Sequence, residues 1–147
     1  MIVENMKFYT NNKTQLSIII AHYCTEQSSL GYNSFIKTLN TIKEQSDNYK
    51  IEVIIADDGS LYSKDIVKNY TKSVEIKNDN RKLFILKDTQ LKTWIKNLNI
   101  DSNLITNWLY IPKLTPCMSK ARLWNYASQY AQSDNLFFLD DDARKLC

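Results

Sequence analysis

The sequence predicts an α/β fold with a mainly parallel sheet, and three observations carry that prediction. Two continuous apolar runs, LSIIIAHY at Leu16–Tyr23 and IEVIIA at Ile51–Ala56, lack the alternation of a half-exposed strand and read as strands buried on both faces. A stretch with apolar residues at helical spacing separates them. Strand and helix signals then keep alternating to Leu136–Leu139, which is the pattern of successive βα units.

In chain order, residues 1–14 read as a loose start, and residues 15–147 as one domain. After the first strand, a polar loop over Cys24–Asn33 leads to a helix in which Phe35, Ile36, Leu39 and Ile42 share a face and Ser34 is the cap. The strand at Ile51–Ala56 runs into Asp57-Asp58-Gly59-Ser60, and a short helix is expected over Ser63–Thr71. Two buried strands joined by a helix imply a parallel pair with a right-handed crossover. Lys82–Lys87 is a third strand, and Leu91, Trp94, Ile95 and Leu98 mark a helix. Residues 99–117 carry weaker signals, with a short strand expected at Leu109–Ile111 before Pro112. Met118–Ala131 reads as a helix whose alanines allow close packing on a sheet, and LFFL at Leu136–Leu139 is the last strand.

Bulk composition excludes several function classes. A chain of 147 residues suits one domain with a real core. Its two glycines, Gly31 and Gly59, exclude the glycine-rich dinucleotide fingerprint and the P-loop. A single histidine, His22, excludes multi-histidine metal sites, and is expected to be a structural residue. Net charge is only +3 with lysines spread along the chain, so no nucleic-acid partner is expected. Three cysteines without C-x-x-C spacing read as free thiols in a reducing compartment. Cys24 lacks a second histidine to activate it as a nucleophile. No apolar run reaches the roughly 20 residues of a membrane span. A cytoplasmic location is expected, with access to the inner face of a membrane. Trp94, Trp108 and Trp124 are expected in the core or at an interface.

The informative pattern is the placement of the acids. Asp57-Asp58 and Asp140-Asp141-Asp142 each follow an apolar strand directly. In open α/β sheets, ligands bind beyond the carboxyl ends of the strands. For Asp57-Asp58, a turn with a helix cap is the competing reading. Three adjacent aspartates repel one another, and a divalent cation offsets that repulsion. Carboxylate oxygens without nearby His or Cys select hard ions such as Mg²⁺ or Mn²⁺. Such ions usually hold phosphates as well, so a nucleotide diphosphate bound as its metal complex is expected.

Four segments together resemble the family-2 glycosyltransferases of the GT-A fold: LSIIIAHY, the helix ending at Gln45, IEVIIADDGS, and LFFLDDD at Leu136–Asp142. The resemblance implies a sugar nucleotide, with UDP-sugar favoured, whose sugar is transferred with inversion to an acceptor hydroxyl in polysaccharide or glycoconjugate synthesis. It places Tyr23, or the backbone of Ala21, at the nucleobase, and Asp58 with Asp57 at the uracil or ribose. Asp140 and Asp142 match the ends of the Asp-x-Asp motif, with Asp142 a direct ligand of Mn²⁺ or Mg²⁺ and Asp140 also facing the sugar or ribose. Such a metal neutralises the leaving diphosphate.

The chain also departs from the family pattern. Tyr23-Cys24 stands in place of Tyr-Asn, and a usual proline near His22 is missing. The family's Ala-Arg-Asn-x-Gly maps its Asn and Gly onto Asn125 and Ala127, and its Arg place onto Trp124, so a diphosphate contact from Arg122 requires a two-residue gap. Residues 88–111 read as an inserted element. The family's general base follows the Asp-x-Asp strand, whereas only Ala143–Cys147 follow it here. The expectation is therefore a donor-binding half, with the base beyond Cys147. A non-catalytic transferase remnant, a haloacid-dehalogenase-type phosphatase with Asp140 as nucleophile, and a receiver-like module are the alternatives.

Overall fold

The computed structural model describes residues 13–66, 73–76, 81–113 and 120–141. Six strands form one sheet: β1 (Leu16–His22), β2 (Ile51–Asp57), β3 (Ser73–Glu75), β4 (Lys82–Leu86), β5 (Ile105–Tyr110) and β6 (Leu136–Asp140). Among the described residues three helices accompany them: α1 (Leu30–Glu44), α2 (Asp88–Asn97) and α3 (Lys120–Ser128). The sheet order is β3-β4-β5-β2-β1-β6. β1 pairs in parallel with β2 and β6, and β2 with β5, while β3–β4 and β4–β5 are antiparallel. The α/β class and mainly parallel sheet are those expected of a GT-A, Rossmann-like fold.

Alternating residues of the strands feed two cores. Ile18, Ile20, Val53, Ile55, Leu86 and Trp108 pack with Phe35 and Leu39 of α1 and with Leu91 and Trp94 of α2. On the opposite face, Ile19, Ala21, Ile54, Ala56 and Leu109 pack against Leu123 and Ala127 of α3. Burial on both faces explains why β1 and β2 read as unbroken apolar runs. One buried exception is Glu52, 2% exposed on the α3 face. Its carboxylate accepts from Ser17 Oγ at 2.6 Å, Thr106 Oγ1 at 2.8 Å and Gln132 N at 2.5 Å, which ties the loop before β6 to the centre of the sheet.

Several boundaries differ from expectation, each for a local reason. The cap of α1 is Ser29, whose hydroxyl accepts from Tyr32 N at 3.1 Å, and Ser34 lies within the helix. Buried Tyr32 extends the apolar face by one turn beyond Phe35. The segment expected as a helix over 63–71 begins as a 3-10 turn at Leu61–Ser63, and residues 67–72 lie outside the described ones. α2 ends in a Schellman pair, with Asn99 at φ 59, Asn99 N donating to Lys96 O and Ile100 N donating to Ile95 O. Thr14, assigned to the loose start, is buried and donates to Gln132 Oε1 at 3.3 Å.

Residues 88–111, read from the sequence as an inserted element, contribute to the central sheet. They form α2 and β5, and β5 lies between β2 and β4 inside the sheet. Its length was hidden by Thr106 and Asn107, which interrupt the apolar pattern where the β2–β5 register shifts between Val53 and Ile54. β6 departs in the other direction, as an edge strand of the described sheet. Leu136, Phe137 and Phe138 are 38%, 52% and 42% exposed, and Phe138 packs on Trp124 with ring centroids 5.4 Å apart.

Gly59 fixes the turn after β2. Its φ is +70, and an added Cβ would lie 2.3 Å from Lys113 N and 3.0 Å from Ile111 O. A side chain there meets backbone on both counts. Gly59→Ala is expected to lower stability by about 2–4 kcal/mol through left-handed strain and overpacking. Urea unfolding checks this, with a midpoint shift at unchanged slope as the expected outcome.

Candidate functional site

At the carboxyl ends of β1, β2 and β6, strand alternation divides neighbouring polar residues between two sides. The register places His22 beside Asp57 and Ala21 beside Asp140. His22, Asp57 and Asp141 turn toward the α1 side and are used up inside the protein. Tyr23, Asp58 and Asp140 turn the other way.

The inward set is held by hydrogen bonds to the rest of the fold. Asp57 is wholly buried, and its two oxygens accept from Ser60 N at 2.8 Å and Trp108 Nε1 at 3.1 Å. It shapes the Asp-Asp-Gly-Ser turn, which is the turn reading of that motif, and both of its oxygens are engaged inside the fold. His22 is also wholly buried, with Nδ1 2.9 Å from Asp141 Oδ2 and Nε2 2.6 Å from the Tyr62 hydroxyl. Its ring stacks on Phe35 at a centroid distance of 3.9 Å. Burial drives the Tyr62 hydroxyl far above its ordinary pKa, so that hydroxyl keeps its proton.

The outward set gathers around a lysine. Lys113 Nζ lies 2.9 Å from Asp58 Oδ2 and 4.2 Å from the centroid of the Tyr23 ring. This joins an ion pair to a cation–π contact. Asp58 N donates to His22 O at 2.9 Å, which locks the end of β2 to β1. Asp58 is 4% exposed because the lysine closes over it. One strand further, Lys120 Nζ of α3 is 2.8 Å from Asp140 Oδ1, a charge contact without hydrogen-bond alignment. Ala21 is buried beside Asp140, and Arg122 stands on the exposed side of α3. Asp142 lies outside the described residues, as do Cys117 and Cys147. Sequence reasoning missed Lys113, and a β5 drawn to its full length would have placed it at the carboxyl edge.

The donor set for a metal is one of hard oxygens. Asp140 supplies one carboxylate at the strand end, which suits Mg²⁺ or Mn²⁺ in chemistry. Among the described residues, no group of three or more His, Cys, Asp or Glu is placed to hold an ion. A cleft of about 840 Å³ lies elsewhere, at the start of β5, and is lined by Lys87, Lys92, Lys96 and Tyr130 rather than by these acids. Among the described residues, no helix is long and apolar enough to cross a membrane.

A mostly parallel α/β sheet with polar residues at its carboxyl edge is consistent with a Rossmann-like domain of GT-A type. The family model for glycosyl transferase family 2 matches residues 17–100, more than half of the chain, and the chain belongs to that family. No curated protein and no solved structure matches it. Tyr23, Asp57 and Asp58 fall within the matched stretch, whereas Lys113, Arg122 and Asp140 follow it. Family membership carries glycosyl transfer as the general activity and sets aside the phosphatase and receiver alternatives.

Cys24 borders this site but is inert. Burial pushes its thiol up to about 12, against the lowering effect of the Ser29 side chain and with Asp57 and Asp141 adding to the rise. Since the folded-state value lies above the ordinary 9.0, the thiol's contribution to stability is intact below pH 9 and lost as pH rises toward 12. Alkylation at pH 8 is expected to spare Cys24 in the native protein and to label it in denaturant, as read by peptide mass spectrometry.

Proposed function

We propose that this domain binds the nucleoside diphosphate of a sugar donor, as its Mn²⁺ or Mg²⁺ complex, at the carboxyl edge of β1, β2 and β6. The sugar is then passed to an acceptor hydroxyl. The cluster of Tyr23, Lys113 and Asp58 carries this reading. It supplies an aromatic face for a base, a cation for carbonyl or phosphate oxygens, and a carboxylate for a base N–H or ribose hydroxyls. A uracil presents both kinds of partner, so UDP-sugars are the favoured donors.

Asp58 is covered in the free protein, so a nucleoside reaches its carboxylate once Lys113 swings aside on its flexible stem. The Tyr23 ring, relieved of the ammonium, then faces the base. On the neighbouring strand, Asp140, with Asp142, would hold the metal, and Lys120 and Arg122 add positive charge on α3 for the diphosphate. When bound, the metal supplies Lewis-acid neutralisation of the leaving diphosphate. The reading assigns donor binding to these residues and a general base to none of them. The acceptor is a glycan or lipid-linked glycan in this reading, and the working place is the cytoplasm or the inner face of a membrane.

Calorimetric titration with UDP, with and without MnCl₂, tests the proposal. Binding is expected to require the metal. Asp58→Asn should weaken it about tenfold, near 1.4 kcal/mol. Asp140→Asn should abolish the Mn²⁺ requirement together with most of the affinity. Equal UDP affinity with and without Mn²⁺ in the unaltered protein, or no binding at all, overturns the reading.

A further inference from the structure

Resting on that donor-site reading, we propose that His22 is a positioning residue, which holds Asp141 inward and thereby turns Asp140 to the ligand side. Asp141 is secured at three points. Its Oδ2 contacts His22 Nδ1 at 2.9 Å and accepts from Tyr23 N at 3.1 Å, and its carbonyl accepts from Thr38 Oγ1 at 3.0 Å. Neighbouring side chains at a strand end point to opposite sides. A fixed Asp141 therefore fixes the sense of Asp140, whose carboxylate meets Lys120 on the α3 side.

His22 is itself held on every side. The ring is wholly buried, stacked on Phe35 and edge-on to Trp108, with its second nitrogen 2.6 Å from the Tyr62 hydroxyl. With its proton on Nδ1, the ring donates to Asp141 and accepts from Tyr62. An apolar side chain fills such a slot without the desolvation cost of a buried imidazole and carboxylate. What the polar pair adds is direction, since a satisfied buried network admits one arrangement. His22 thus acts on the donor site through Asp141 while touching no ligand. Residues behind a metal ligand commonly change metal affinity by about 10–100-fold when removed.

Two substitutions separate positioning from packing. In His22→Asn the amide nitrogen takes the place of Nδ1 and retains the Asp141 contact. In His22→Gln it reaches the place of Nε2 and retains only Tyr62. Both should lower thermal stability. The Mn²⁺ concentration needed for half-maximal UDP binding should stay within about threefold of the unaltered protein in His22→Asn and rise about tenfold or more in His22→Gln. Hydrogen exchange of the Tyr23 amide, read by NMR, should quicken in His22→Gln alone. If His22→Gln proves too unstable, Asp141→Asn should raise the Mn²⁺ requirement in the same way. Equal Mn²⁺ requirements in both His22 variants, or an unchanged requirement in Asp141→Asn, overturn the positioning role and leave the donor site standing. Absence of Mn²⁺-dependent UDP binding in the unaltered protein overturns both.

Discussion

In a strand buried on both faces, each residue at the carboxyl end serves one side, and its neighbour must serve the other. The polar chemistry of this protein is organised by that constraint. His22 and Tyr23, Asp57 and Asp58, Asp140 and Asp141 are adjacent pairs, and in each pair one member is spent inside the fold while the other faces the site. A shift of register by one residue in β1 or β2 would exchange every role, burying the tyrosine and exposing the histidine. Parallel pairing of β1 with β2 and with β6 brings the inward members His22, Asp57 and Asp141 level, while Asp140 stands beside Ala21, one position before them.

Such an arrangement requires every inward polar group to find partners. Asp57 has a backbone amide and an indole, and His22 has a carboxylate and a phenol. Glu52 solves the same problem near the other end of the sheet with two hydroxyls and an amide. Each of these hydrogen bonds is worth little net in water, but an orphaned partner in the interior costs about 1–3 kcal/mol. The polar residues are therefore a source of precision more than of stability. Stability comes from the isoleucines of β1 and β2 and from the aromatic layer of Phe35, Trp94 and Trp108.

The sequence was most readable where periodicity was uninterrupted. β1, β2 and α2 stand close to where hydrophobic spacing puts them, and the Asp-Asp-Gly-Ser turn announced itself by composition. β5 was read short because Thr106 and Asn107 break the apolar run at a register shift, and the meaning of a register shift lies in the partner strand. α1 starts one turn before its clear helical spacing because Tyr32, in a polar stretch, packs its ring inward. At the site, residue type was legible but direction was not. Nothing in Asp57-Asp58 or Asp140-Asp141 says which carboxylate turns inward, because that choice depends on Trp108, Lys113, His22 and Lys120, all distant in the chain. The pairing of Lys113 with Asp58 across 55 positions belongs to the same class.

The close approach of Gly59 to the backbone of Lys113 separates two properties that are usually entangled. Main chain and the Cβ of Lys113 lie against Gly59 there, so the path of the loop after β5 is set close to the backbone and not by the ammonium end of the lysine. What projects from position 113 is the ammonium that covers Asp58 and the Tyr23 ring, so main chain sets the path of the loop and side chain sets the charge at the site. One side chain on a fixed stretch of main chain thus sets the charge that stands over Tyr23 and Asp58.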